Sequence, residues 1–212
     1  KKKKNVRRIS IRGGKFSYHG DSVNLVIVNA AKVSRAYFAD EFDVDKTVAP
    51  TCWSSNTQTP DPAVPGEQVQ ARRCMDCKQN IRGTSGYGRA CRFLQRLAVV
   101  VEDNLEEVYQ LQLPATSIFG KTVGGGMPLQ EYARHLHSNN TSATTILTKA
   151  YFDNNSSVPK VLFKPIRTLE EHEVAVVADL IDHPDTRAAI TSVEKQSANP
   201  SPFDSVEGYA YK

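Results

Sequence analysis

All four cysteines of the 212-residue chain fall in one stretch, at Cys52, Cys74, Cys77 and Cys91, with the spacing C-x21-C-x2-C-x13-C. Two thiolates two residues apart can close on one tetrahedral ion, because the turn between them points both sulfurs inward. Two more from flanking segments complete a closed four-thiolate site. Residues 48–92 are rich in Pro, Gly, Ser, Thr and Gln and poor in aliphatics, so the segment cannot build an apolar core of its own. A structural metal supplies such a module with about 10–16 kcal/mol of apparent free energy. Zinc is the first choice, and a four-cysteine iron–sulfur cluster takes the same ligands. The competing readings are two disulfides or unlinked buried thiols. Against them, Cys74 and Cys77 sit in a basic, polar loop, Arg73-Cys-Met-Asp-Cys-Lys78. A redox C-x-x-C would need the strand-to-helix turn of a βαβ unit, which this context lacks. Clustered cysteines fit a reducing compartment.

The second chemistry is that of a polyanion-binding surface. Trp53, Tyr87 and Phe93 are interleaved with Arg72, Arg73, Arg82, Arg89 and Arg92. Lys15, Phe16 and Tyr18 repeat the theme earlier, as do Arg35, Tyr37 and Phe38. Aromatic faces stack unpaired bases at about 1–3 kcal/mol each, while cations hold the phosphates. The bland reading of Trp53 or Phe93 alone is packing beneath the metal. The net charge of +4 is unevenly spread: residues 1–15 hold eight Lys/Arg and no acid, and residues 72–96 hold seven against Asp76. Residues 150–212 reverse this, with ten acids against six Lys/Arg. A basic front and a basic metal module point to a polyanion partner.

Enzymatic motifs are incomplete. Ala115-Thr-Ser-Ile-Phe-Gly-Lys-Thr122 approaches a phosphate loop, which would use Lys121 and Thr122. It lacks the first glycine, and Val123-Gly-Gly-Gly126 cannot continue as the helix whose N-terminus holds the phosphates. A small NTPase is therefore the lesser alternative. No H-x-E lies upstream of the C-x-x-C, as a zinc deaminase requires. The five histidines are scattered, and no nucleophile–base pair can be argued from spacing. The chain is expected not to be an enzyme and to take no small-molecule substrate.

The elements that must position these residues read mostly as strands. Ile9 and Ile11, then Lys15 to His19, alternate in polarity, and Val23 to Val28 is an apolar run, so residues 5–29 suggest a meander. Residues 30–43 are another strand or an irregular return. After the metal module, Leu94–Val101 and Val108–Leu113 suggest a hairpin with its loop at Asn104–Glu107. Residues 128–137 suggest a helix opened by Pro128. Thr144–Phe152 and Val158–Phe163 are two strands around a loop at 154–157. Thr168 to Glu171 reads as a capping box opening a helix to about Ile181. The Gly124–Gly126 run reads as a flexible loop, and 196–212 as irregular. The expected fold is mainly β: a single OB-like β-barrel domain over 1–195, with two or three peripheral helices and a metal-binding insertion at 48–92. No apolar run reaches the length of a membrane span. No secretory signal is visible, although the first residue is Lys and a trimmed leader stays open.

The run Cys52-Trp-Ser-Ser, Pro60-Asp61, Cys74-Met-Asp-Cys77, Asn80, Gly83, Gly88-Arg-Ala-Cys91 and Arg96-Leu-Ala-Val99 resembles the single-stranded DNA-binding proteins of tailed bacteriophages. The resemblance covers about residues 20–165. It implies an OB-fold replication protein with a metal-binding insertion, the four cysteines as ligands, and the surrounding Arg and aromatic residues along the strand-binding groove. It also implies a role in protecting single strands during replication or recombination, replication or recombination proteins as partners, and the host cytoplasm as location. Such proteins often end in a strongly acidic tail, whereas only Asp204 and Glu207 are acidic after Lys195. The alternative from the residues is a zinc-ribbon-like transcription or replication adaptor that binds duplex DNA or protein.

Overall fold

The computed structural model describes residues 7–9, 11–12, 15–39, 49–83 and 88–191. Tyr87, Lys1 to Lys4, Gly13-Gly14 and the segment 196–212 lie outside them. The described residues form ten strands: β1 Arg7–Ile9, β2 Ile11–Arg12, β3 Lys15–Phe16, β4 Ser22–Ala30, β5 Ser34–Tyr37, β6 Cys52–Ser54, β7 Cys91–Val101, β8 Asn104–Pro114, β9 Ile146–Phe152 and β10 Val161–Thr168. Four helices accompany them: α1 Ala115–Ile118, α2 Leu129–Ser138, α3 Glu171–Leu180 and α4 Pro184–Ile190. The chain is mainly β. It divides into two compact units, one from Lys1–Ala31 with Arg96–Thr191 and a second around Lys32–Gln95. The second unit is wider than 48–92, because it takes in β5 and the start of β7.

In the first unit the strand order is β1-β8-β7-β4-β9-β10. β4 runs antiparallel to β7 and to β9, and β9 antiparallel to β10. β4 is central and covered on both faces, which explains its apolar run: Val26 and Val28 pack in the cluster under α3–α4, and Val23, Leu25 and Ile27, on the alternate face, are buried as well. Val26, Val28, Ala98, Val100, Val108 and Leu147 from the sheet pack with Leu169, Val177, Leu180 and Ala189 from the α3–α4 region. The buried Gln110 side chain donates to the Ala189 carbonyl at 2.6 Å, tying α4 to β8. Tyr132 of α2 stacks on Phe163 of β10, with ring centroids 5.9 Å apart. The sheet is mixed. Among the described residues no pairing joins its ends, β1 and β10.

Several expectations change. Residues 5–29 are not a meander: β2 and β3 form a small hairpin, while β1 leaves them to run parallel to β8. The β7–β8 turn is Glu102-Asp103, so Asn104–Glu107 lies inside β8. The capping box of α3 sits two residues later than expected. Glu170 is the cap and Glu173 closes the box, because β10 runs on through Thr168. The phosphate-loop-like stretch places a single helical turn, α1, before Gly120 and no helix at Lys121-Thr122, which are both exposed. The glycines after it are not a loose loop. Val123 and Gly126 exchange backbone hydrogen bonds at 2.8 and 2.9 Å. A Cβ on Gly126 would collide with the Tyr151 hydroxyl.

Candidate metal centre and its basic surround

The second unit is built on three short strand segments, β6-β5-β7. Tyr37 of β5 lies opposite Cys52 on one side and Cys91 on the other. Two residues back, Arg35 lies opposite Ser54 and Phe93. Residues two apart on a strand share a face, as do directly opposed residues on neighbouring strands. One face therefore carries two rows, Cys52–Tyr37–Cys91 and Ser54–Arg35–Phe93. Sequence spacing alone could not have shown that Cys52 and Cys91, far apart in the chain, share one register.

The other pair comes from a single 3-10 turn, Cys74–Asp76, closed by the Cys77 N–H on the Cys74 carbonyl at 3.4 Å. The turn is anchored where the Cys74 N–H donates to the Gln58 carbonyl at 2.8 Å. The loop that supplies Gln58 is itself fixed by the Asn56 side chain, which accepts from the N–H groups of Gln58 and Thr59. The turn faces its sulfurs inward: Cys74 and Cys77 are each 8% exposed, against 67% for Met75 between them.

All four thiols border one cavity of about 20 Å³, shared with Arg35, Trp53 and Gln70. That is room for one water-sized sphere or ion. As they stand, no three His, Cys, Asp or Glu side chains among the described residues are grouped closely enough to be a formed metal site. Cys52 and Cys91 are two strand spacings apart, about 10 Å at Cα. On one zinc ion the sulfurs would sit about 4 Å from each other. Loading a single ion therefore requires the thiols to draw inward. Four thiolates are the donor set that a closed zinc site would use. No disulfide joins any of the four.

Burial pushes the Cys91 thiol up to about 11; the Arg35 charge opposes this, and Cys74, Cys77 and Cys52 add to it. Burial also raises Cys52, with the Gln70 backbone hydrogen bond opposing and Cys74 and Cys77 adding. These two thiols keep their protons at neutral pH unless a cation displaces them, so metal uptake would release protons.

Arg35 is the correction within the expected nucleic-acid contacts. It is only 2% exposed and so cannot reach a phosphate from solvent. Its guanidinium lies 4.4 Å from the centroid of the Phe93 ring, and one Nη2 hydrogen bond goes to Asn80 Oδ1. The signal was present in the two-residue offset between Arg35 and Tyr37, but only the strand partners say which face is inward. Arg72, Arg73, Arg82 and Arg89 are exposed, while Tyr37, Phe38, Trp53 and Arg92 are half-buried. Arg73 pairs with Asp76 at 3.4 Å. Trp53 Nε1 is buried and has no partner among the described residues. Lys15 and Tyr18 belong to the first unit. Lys15 is exposed, and Tyr18 is 96% exposed in a turn with a left-handed φ of 69°. An aromatic ring held in water at a strained backbone position has no packing reason to be there. No helix among the described residues is long and apolar enough to cross a membrane.

Compared with protein-family models, curated proteins and solved structures, the chain matches none.

Proposed function

We propose that the chain binds single-stranded DNA with little sequence preference and that its four thiols hold a structural zinc ion. The observation that carries this is the pairing of two features in one unit. The four thiols share a cavity, and Arg72, Arg82 and Arg89 on the same unit are exposed and have no carboxylate partner among the described residues. Exposed arginines without acids are free to neutralise phosphates, and half-buried or exposed aromatics offer faces for bases. The ligands would be Cys52, Cys74, Cys77 and Cys91, and the ion would fix the loop that displays the arginines.

We read the first unit as an OB-type domain. Its five long strands have the spatial order β8-β7-β4-β9-β10, and helix α2 falls between the third and fourth in sequence. An OB fold binds oligonucleotides on its second and third strands and on the loops joining strands one to two and four to five. On that numbering Lys32–Gln95 is the first of those loops. Replication or recombination proteins would be the partners of such a complex.

The test is fluorescence anisotropy with labelled oligo-dT and a duplex of equal length at two salt concentrations. Binding to oligo-dT should fall with salt by about 0.7 log units per phosphate contact per log unit of salt. Replacing Arg72, Arg82 and Arg89 together by Ala should lower that slope by about 2. Equal affinity for duplex and single strand would overturn the reading, and sequence-specific duplex binding would replace it with the adaptor reading. Native mass spectrometry and visible absorbance separate zinc from an iron–sulfur cluster.

A further inference from the structure

Arg35 has a demand that the surrounding protein does not meet. Its side chain is all but fully buried, yet Nε–H and Nη1–H have no acceptor among the described residues. No carboxylate pairs with it there either. Nη2 is satisfied by Asn80, and the cation lies over Phe93. A buried cation without a counter-charge, with two donors unmet, is among the costlier arrangements a core can hold. What Arg35 does border is the cavity lined by the four thiols. In the sheet register it lies diagonal to both Cys52 and Cys91 on their shared face. Asn80, which fixes Nη2, is itself tied to the C-x-x-C turn, since its N–H donates to the Cys77 carbonyl at 2.9 Å.

We propose that Arg35 is the built-in counter-charge of the thiol site: when a divalent ion binds, its Nε–H and Nη1–H donate to cysteine sulfurs. The inference rests on the metal reading above. On binding, four S–H bonds give way to four metal–sulfur bonds and the protons leave to solvent. Four thiolates around a divalent ion leave two net negative charges in a buried pocket. A guanidinium alongside removes one of them, and its two unmet donors find soft acceptors. Arg35 is thus a positioning residue and not a ligand. Without metal its two donors stay unmet, so loading the ion and settling the arginine are one event.

The experiment uses the full chain and three metals. Zinc affinity is measured by competition with a chelator for the wild type, Arg35→Met and Arg35→Lys. Arg35→Met should bind zinc about 10–100-fold more weakly, the usual effect of removing an outer-sphere partner. Arg35→Lys, which keeps the charge but not the planar fork, should fall between. Cobalt-loaded Arg35→Met should keep the absorption of a tetrahedral four-sulfur site, because no ligand has been removed. In wild-type protein loaded with ¹¹³Cd, the Arg35 Nε–H resonance should show scalar coupling to the metal across an N–H···S bond. This measurement needs no variant and decides the matter even if Arg35→Met fails to fold. Wild-type affinity in Arg35→Met, or no coupling in the cadmium protein, would overturn the proposal. Wild-type protein that takes up no metal would overturn the metal reading itself, before any variant is made.

Discussion

Tyr132 and Thr148 show what a single atom contributes in this molecule. Their hydroxyls meet at 2.6 Å, and neither side chain is more than 1% exposed. In Tyr132→Phe the ring should keep its stacking on Phe163, but the Thr148 hydroxyl loses its partner in a dry site. A loss of about 1–3 kcal/mol is expected in urea denaturation, and Thr148→Val added to it should recover part of that. If Tyr132→Phe unfolds at the wild-type urea midpoint, the pair is not a structural bond. Legibility at this scale divides by chemistry. The cysteines announce themselves, because thiol pairs at C-x-x-C spacing have few other uses. Arg35 does not: in the run Ser-Arg-Ala-Tyr-Phe a polar residue on either face looks like a surface residue. Only the partners Ser54 and Phe93 decide that its face is the inner one.

Helix α3 starts on a carboxylate that the fold keeps ionised. Glu173 receives two hydrogen bonds from Arg167, at 2.7 and 2.9 Å, and one from the Glu170 N–H at 2.8 Å. The Arg167 side chain, then that backbone donor, hold the Glu173 carboxyl well below the usual carboxylate range, at about 2. A depressed folded pKa means that the stabilisation is full above the unfolded value, near 4.5, and is lost as pH falls from there through about 2. Thermal melts should therefore show the wild type losing stability across that window. Glu173→Gln should already be less stable at pH 7 and should lose less on acidification. Parallel pH curves for the two proteins would rule this out. The sequence pattern located β4, the β7–β8 hairpin and α2, where the apolar period is long enough to read. It missed α4, whose seven residues span barely two turns. The cue was its start: Pro184 in the first turn, and the His183 ring accepting from the Asp185 N–H at 3.2 Å.

For the whole molecule the two units differ in what can hold them together. The first has the long apolar strands. Among the described residues the second buries only Ala36, Pro50, Val64 and Leu94 as apolar side chains besides Cys52, Cys74 and Cys77. If the thiols hold an ion, removing it should loosen the second unit alone. A strong chelator should open trypsin sites at Arg72, Arg73, Lys78 and Arg82 while the far-UV strand signal largely persists. A cleavage pattern unchanged by chelation would show that the ion has no structural part. Pairing at this range was the least legible feature. β1 reaches β8 in parallel across about a hundred residues, and no local pattern encodes a partner so distant.

The chain leaves β4 at Ala31 and resumes in β7 at Arg96, and the Ala31 N–H donates to the Arg96 carbonyl at 2.8 Å. The exit and the return are thus adjacent rungs of one ladder, already drawn together by Ala30 opposite Leu97. For the ladder, everything from Lys32 to Gln95 is a hairpin loop. Its length enters the folding free energy only logarithmically, at about 0.6 kcal/mol per doubling. A two-residue Asn-Gly turn in its place would ask the strands to do nothing they do not already do. The reverse also holds: a foreign domain whose ends lie close together could be grafted at the same rung, making this position the natural port for exchanging whatever the loop recognises.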